Sequence, residues 1–275
     1  MQDEHWIAFL KWALPQLRLR WPGFRKVRGQ VCKRIDRRLR QLDLAEPLAY
    51  QTYLQGHPEE WAVLDGLCRV VISRFYRDRM MFARLEEEVL PDLALSARRQ
   101  HHDRLRVWSA GCASGEEPYS VAIVWLLRLQ AFFPEITLDL LATDVDPELL
   151  RRAAVACYPP GSIKNLPLAW RDEVFVKDKD QYCLRPAYRT PVHFSEHDIR
   201  TPAPAGGPFH LILCRNLVFT YFDHDLQAAC LEGLRDSLTT DGYLIVSVHE
   251  QLAEAQGFAA VSRRLGIYRK TASPP

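Results

Sequence analysis

The sequence predicts an α/β fold: a doubly wound, mostly parallel sheet carrying a small antiparallel β insert, preceded by a small all-α domain. Three observations carry this. Helical apolar spacing fills the first ninety residues, short apolar runs alternate with helical patterns from residue 105 onward, and the alternation lapses between Tyr158 and Phe194.

In the first region Trp6, Phe9, Leu10 and Ala13 follow helical spacing up to Pro15, and Val27, Val31, Ile35, Leu39 and Leu42 form one apolar stripe. Arg34, Arg37, Arg38 and Arg40 lie off that stripe. Trp61 to Phe75 repeats the pattern, and a further helix is expected from Met81 to Val89, stopping before Pro91. The polar, charged run that ends in Arg98-Arg99-Gln100-His101-His102-Asp103-Arg104 reads as a boundary, its histidines as solvated. This gives an N-terminal helical domain over 1–92, a linker over 93–105 and a second domain over 106–275, with the insert at about 158–194.

Beyond the boundary, Leu105–Ala110 and Ile136–Ala142 read as strands followed by helices Tyr119–Leu129 and Pro147–Ala156. Phe209–Cys214 is a later strand, Leu226–Leu238 a helix and Tyr243–Val248 another strand. Within the insert, Gln181–Leu184 and Pro191–Phe194 read as short strands.

Composition narrows the function. The 275 residues hold 36 Lys+Arg against 34 Asp+Glu, a net charge of only +2, with 48% hydrophobic residues. Such a chain folds around its own core and is neither disordered nor collagen-like. No apolar run approaches the roughly 20 residues of a spanning helix, and the N-terminus lacks the layout of a signal peptide, so no membrane insertion is expected. The seven cysteines stand singly without a Cys-x-x-Cys pair, which argues against a metal site. An odd count without an export signal points to the reducing cytoplasm, with most cysteines acting as small buried hydrophobes. The near-neutral total hides an asymmetry. Residues 1–45 carry eleven basic and four acidic side chains, a net +7, which leaves −5 for the remainder. A basic head suits an acidic partner.

In an open α/β sheet, ligands bind beyond the carboxyl ends of the strands. Three such ends are informative. After the first strand comes Gly111-Cys112-Ala113-Ser114-Gly115-Glu116-Glu117-Pro118-Tyr119-Ser120. Gly111 permits a sharp turn and Gly115 a close approach of a ligand to the backbone. Ser114 and Glu117 have capping-box spacing and read as helix caps, whereas Glu116 faces the loop mouth. The loop matches neither Gly-x-Gly-x-x-Gly nor Gly-Lys-Ser/Thr, and two glutamates would repel a pyrophosphate. Acid at such a site suits a cationic, phosphate-free nucleoside, and S-adenosylmethionine has that character. After the second strand Asp144 is placed to hold ribose hydroxyls, while Asp146 before Pro147 fits a helix N-cap. After the later strand, Cys214-Arg215-Asn216 precedes Tyr221-Phe222-Asp223; an Arg-Asn pair there reads as site more than core.

Together these strings resemble the CheR family, the S-adenosylmethionine-dependent methyltransferases of bacterial chemotaxis receptors. The residues concerned are Val107 to Ser120, Ala142 to Asp146, Cys214-Arg215-Asn216 with Tyr221-Phe222-Asp223, Arg74 to Asp78 and Lys33 to Arg40. The resemblance runs from about Val27 to Leu252. Four residues rather than three separate Asn216 from Tyr221, and Ser247-Val248-His249-Glu250 replaces Gly-His-Ser-Glu, marking a divergent branch.

The resemblance implies a Rossmann-like class I methyltransferase domain. Ser73 and Arg77, from the N-terminal domain, would reach the cofactor alongside Gly111, Glu116 and Asp144. Asp198 and Ile199 would flank the adenine, and Arg215 and Asn216 would close the site. Arg215 and Tyr221 would be catalytic, the first holding the acceptor carboxylate and the second orienting it, with S-adenosylhomocysteine as the product. A helix with Arg34, Arg37 and Arg40 on one side would dock an acidic helical protein, a chemoreceptor cytoplasmic domain in the family. The expected reaction is methyl-ester formation on a glutamate side chain by a cytoplasmic monomer. Nucleic acid is not expected as acceptor, because the body is net acidic. Another carboxylate or small-molecule acceptor, or a cofactor-binding module without turnover, remain the alternatives.

Overall fold

A computed structural model describes residues 2–252 and 257–271. It separates into two compact units. One comprises the residues up to Val71 together with Thr220–Ala228. The other comprises Ile72–Phe219 and the residues from Ala229 on.

The first unit is helical, with helices Gln2–Gln16, Arg28–Gln41, Pro47–Gly56 and Glu60–Cys68. The stripe seen in the sequence is its seam, since Val31, Ile35 and Leu39 are buried on the second of these helices. They share the core with Phe9, Leu10, Leu14, Tyr50 and Leu54. Inside it the Glu60 carboxylate accepts two bonds from the Arg38 guanidinium (2.9 and 2.7 Å) and one from the Tyr50 hydroxyl (2.7 Å). The Arg38 hydrogen bond outweighs burial and holds the Glu60 carboxyl below its usual pKa.

The second unit takes more chain than the boundary at 92/93 allows. Helix Arg79–Arg84 runs through a π-turn at Leu85–Val89 into helix Leu90–Arg99. Proline cannot accept a normal helical turn in front of it, and the wider π-turn before Pro91 lets the helix continue where the sequence suggested a stop. Leu90, Leu93, Ala94 and Ala97 are buried in one core with Leu105 and Val107. Asp92 accepts a bond from the Tyr243 hydroxyl (2.8 Å). The supposed linker is therefore largely a helix, packed through its Leu90–Leu93–Ala94–Ala97 face with its other face and the turn after it exposed.

The strands are β1 (Arg104–Ala110), β2 (Thr137–Asp144), β3 (Cys157–Tyr158), β4 (Phe175–Asp178), β5 (Gln181–Leu184), β6 (Val192–Glu196), β7 (Phe209–Leu213), β8 (Leu238–Ile245), β9 (Phe258–Ser262) and β10 (Ile267–Lys270). The main sheet has the order β6-β2-β1-β7-β8-β10-β9. Its first five strands are parallel, and β10 runs antiparallel to both β8 and β9. The chain winds outward from β1 through β2 to β6, then crosses to β7 and β8. The order thus reverses between β1 and β7, and a crevice opens there at the carboxyl ends.

The insert forms a separate antiparallel sheet, β3-β5-β4. Val192–Glu196 does not belong to it, contrary to the sequence reading. It pairs in parallel with β2 as the edge of the main sheet, with the Pro191 carbonyl accepting the Leu140 N–H (2.9 Å). A proline entering an edge strand costs no ladder donor. Cys157 and Cys183 face each other across β3 and β5 and are joined in a disulfide, so two of the seven cysteines depart from the expected free thiols. Among the described residues no helix is long and apolar enough to cross a membrane.

Candidate active site

Three strand ends build the site in the second unit. The β1 loop doubles back through left-handed residues, with φ +76° at Gly111, +50° at Ala113 and +89° at Gly115. The Gly111 and Cys112 N–H groups both bond the Thr143 carbonyl (2.8 Å), tying the loop to the end of β2. The left-handed Ala113 is held by the Asp144 carboxylate, which accepts its N–H at 2.8 Å and that of Asp146 at 3.1 Å. Burial raises the Asp144 pKa above its ordinary value, against the opposing pull of these two N–H donors. Asp146 is the expected N-cap, accepting from the Glu148 and Leu149 N–H groups.

Gly115 was expected to admit a ligand. The space is filled from within instead: a Cβ there would meet the Ala153 Cβ at 2.9 Å, and the Phe194 ring and Tyr158 hydroxyl at 3.2 Å. The Tyr158 hydroxyl donates to the Ser114 carbonyl (2.8 Å), so the insert braces the loop. Glu116 is buried, and its carboxylate accepts from the Ser114 hydroxyl (2.9 Å) and the Ser162 hydroxyl (3.4 Å). Ser114 and Glu117 do not cap the helix. Glu117 instead accepts from the Ser109 hydroxyl (2.8 Å) and from Arg215 (3.0 Å), because the helix turns the side chain inward toward β7. The Cys112 thiol, pushed well above its usual pKa by burial, is no nucleophile.

At the end of β7, Arg215 is held differently from the sequence expectation. Its side chain is 2% exposed and pairs with both Asp78 and Glu117. Its Nη2 also donates to the Arg77 carbonyl (3.4 Å). Its two terminal nitrogens are thus engaged by two carboxylates and a carbonyl, while its buried Nε meets no hydrogen-bond partner among the described residues. Asn216 adopts φ +54°, its N–H bonds Glu250 (3.0 Å), and its side-chain oxygen accepts from Arg77 (3.1 Å) and the Ser247 hydroxyl (3.0 Å).

Arg77 belongs to this unit and not to the helical one, because the segment that carries it is pinned here. Phe75 N–H bonds the Ser162 carbonyl (3.0 Å), and Tyr76 N–H bonds the Ser120 hydroxyl (2.8 Å). Arg77 also donates to the Ile72 carbonyl (2.7 Å), and Ser73 is half-buried on the same segment. His197 N–H bonds the Asp144 carbonyl (3.0 Å), which brings Asp198 and Ile199 in just past β6. The Asp198 carboxylate is engaged by Arg200 (2.7 Å), and the Ile199 carbonyl by the Cys230 thiol (3.6 Å). Sequence reasoning gave none of Asp78, Glu117, Ser162, Ser247 and Glu250 a role in the site: Glu117 read as a helix cap, Asp78, Ser247 and Glu250 only stood inside family-like strings, and Ser162 carried no signal.

Tyr221 lies in the helical unit, its ring 5.0 Å from that of Phe24 and its carbonyl accepting the Arg20 N–H (2.8 Å). The three docking arginines are not equivalent there. Arg34 turns back to the Leu67 and Arg69 carbonyls at the end of helix Glu60–Cys68, and Arg40 pairs with Asp36. Arg37 is exposed, as is Lys33 one turn before it.

The donor set suits a cationic, phosphate-free ligand: Glu116 and Asp144 at two adjacent strand ends, with Arg77 beside the third. Comparison with known proteins agrees. Residues 72–266 match the family model described as the CheR methyltransferase, SAM binding domain. A chemotaxis protein methyltransferase of Listeria innocua is 34% identical over 206 residues, 75% of each chain. Chemotaxis protein methyltransferase 2 of Vibrio cholerae is 29% identical over 238 residues, 83% of this chain and 81% of its own. A probable biofilm formation methyltransferase, WspC, of Pseudomonas aeruginosa is 30% identical over 88% of this chain and 57% of its own. A site of this chemistry, on this sheet order and with these relatives, makes the chain a member of the CheR family of S-adenosylmethionine-dependent methyltransferases.

Proposed function

We propose that this methyltransferase esterifies the side-chain carboxylate of glutamate in an acidic helical protein, a chemoreceptor-like one, in the cytoplasm and as a monomer. The observation that carries the cofactor half is the pairing of Glu116 and Asp144 across the ends of β1 and β2, bridged by the Ala113–Asp144 bond. The acceptor half draws on the names of the relatives and on the basic helical unit.

When bound, S-adenosylmethionine supplies an electrophilic methyl group on a sulfonium. Asp144 accepts from its ribose hydroxyls and Glu116 from its cationic portion, while Arg77 meets its carboxylate in charge-assisted bonds. Ser73, Gly111, Asp198, Ile199 and Asn216 complete the wall. The acceptor glutamate, with a reference pKa of about 4.3, arrives ionised and needs no general base. Its oxygen forms the new bond to the methyl carbon as the carbon–sulfur bond breaks, the electron pair staying on sulfur. Catalysis then rests on proximity and orientation, worth up to roughly 7–11 kcal/mol. Tyr221 orients the acceptor. Arg215 acts at one remove, by fixing Asp78 and Glu117.

The test is incubation of the protein with methyl-labelled S-adenosylmethionine and a lysate containing chemoreceptors. Base-labile label on a receptor band is expected. Base-stable label, or label confined to small molecules, overturns the proposal in favour of another acceptor.

A further inference from the structure

We propose that Glu250 is a positioning residue for the cofactor site, acting on Arg77 through Asn216 and Ser247. The inference rests on the reading of Arg77 as a cofactor-binding residue and deepens it.

Glu250 is only 3% exposed, in the turn that follows β8. One carboxylate oxygen, Oε2, accepts two backbone N–H groups, from Asn216 at 3.0 Å and Ser247 at 2.8 Å. These belong to different strand ends, so a single atom couples the exits of β7 and β8 on the side of the sheet where the order reverses. The bond from Ser247 is buried and that from Asn216 is partly so, where a hydrogen bond is worth more than in water.

The bond to Asn216 has a particular effect. Asn216 is left-handed, a conformation that asparagine tolerates but does not strongly prefer. Holding its N–H from behind fixes the direction in which its side chain leaves. That side chain then accepts simultaneously from Arg77 (3.1 Å) and from the Ser247 hydroxyl (3.0 Å). Ser247 is in turn held by Glu250 through its own N–H, so both supports of the Asn216 amide trace to one carboxylate. Arg77 has a second tether at the Ile72 carbonyl (2.7 Å), and the two fix a long side chain that would otherwise sample many rotamers. Without the Glu250 oxygen, one buried and one partly buried N–H group lose their acceptor, the Asn216 amide is released and Arg77 loses one of its two anchors.

The experiment measures S-adenosylmethionine binding by calorimetry for the full chain and for Glu250→Ala, Glu250→Gln, Arg77→Ala and the double variant Arg77→Ala/Glu250→Ala. Glu250→Ala should weaken binding about tenfold, the scale of one net hydrogen bond. Glu250→Gln, which keeps an acceptor oxygen, should stay within about threefold. The double variant should bind no more weakly than Arg77→Ala alone, because residues acting through one another are not additive. A folded Glu250→Ala variant that binds like the parent overturns the proposal, as do losses that multiply in full. Should Glu250→Ala fail to fold, Glu250→Asp, one methylene short, is judged by the same criteria. If Arg77→Ala binds like the parent, the cofactor-site reading falls and takes this proposal with it. If only Glu250→Ala does, this proposal falls alone.

Discussion

Arg215 reaches back across 137 residues of sequence to pair with Asp78, and its other terminal nitrogen pairs with Glu117 at 3.0 Å. With the guanidinium 2% exposed, it is the counter-charge that both carboxylates share among the described residues. Arg215→Ala should therefore cost about 3–5 kcal/mol, the usual result of stripping the partner from a buried charge. At about 2–4 °C per kcal/mol for a unit of this size, the melting temperature should fall by roughly 6–20 °C. Arg215→Lys should recover only part of this, because a point charge cannot reproduce the fork. A melting temperature unchanged by Arg215→Ala, with turnover lost, would instead return Arg215 to the acceptor.

Cofactor affinity should depend on pH through Asp144. Burial raises its pKa above the ordinary aspartate value, and on the proposed reading only the ionised form would accept two ribose hydroxyls while still holding Ala113. Affinity should therefore be full at neutral pH and should decline as pH falls through a value above the ordinary aspartate range. Calorimetry across pH should show this step in the parent and not in Asp144→Asn. Asp144→Ala should abolish binding at every pH, and unchanged affinity would refute the assignment.

Gly115→Ala tests whether the loop geometry matters for itself. The new methyl group would sit 2.9 Å from the Ala153 Cβ at a φ of +89°. Both the strained dihedral and the overpacking act in the same direction, so a loss of about 2–4 kcal/mol is expected in chemical denaturation. Because the Tyr158 brace on Ser114 is beside it, cofactor binding should weaken as well.

The helical unit offers a separation of function. Arg37 and Lys33 are exposed on helix Arg28–Gln41, whereas Arg34 holds carbonyl groups at the end of a neighbouring helix. Arg37→Glu with Lys33→Glu should raise the KM for the protein acceptor, more so at low salt, and leave cofactor affinity unchanged. Arg34→Glu should lower stability in a denaturant titration instead.

Those two arginines also show how far the sequence could be read. Helical spacing separates the faces of a helix, so the Val31–Ile35–Leu39 seam was legible. It does not say which basic residue on the outer side finds a carbonyl on the next helix. The same divide runs through the site. The placement of Asp144, Glu116 and Asn216 at neighbouring strand ends was legible because strand ends in a parallel sheet converge. The engagement of Arg215 by Asp78 and Glu117 spans 137 and 98 residues and has no local pattern. Val192–Glu196 was assigned to the insert because a five-residue strand after a proline carries no mark of the sheet it joins. Pro91 suggested a helix end because its remedy, the π-turn before it, has no sequence signature.

The return of Thr220–Ala228 to the helical unit sets a rule for building chimeras within the family. Arg18 and Leu19 hold this stretch: the Asp223 N–H bonds the Arg18 carbonyl at 2.8 Å, and Leu19 bridges Phe222. Gly23 lies so close to the Thr220 carbonyl that any side chain there would collide with it. Cutting once, at Val71/Ile72, therefore separates nine residues from the partners they fold with. A relative's helical head can be grafted only as two pieces, with joints at 71/72, 219/220 and 228/229, and residues 18–24 must come from the same parent as 220–228.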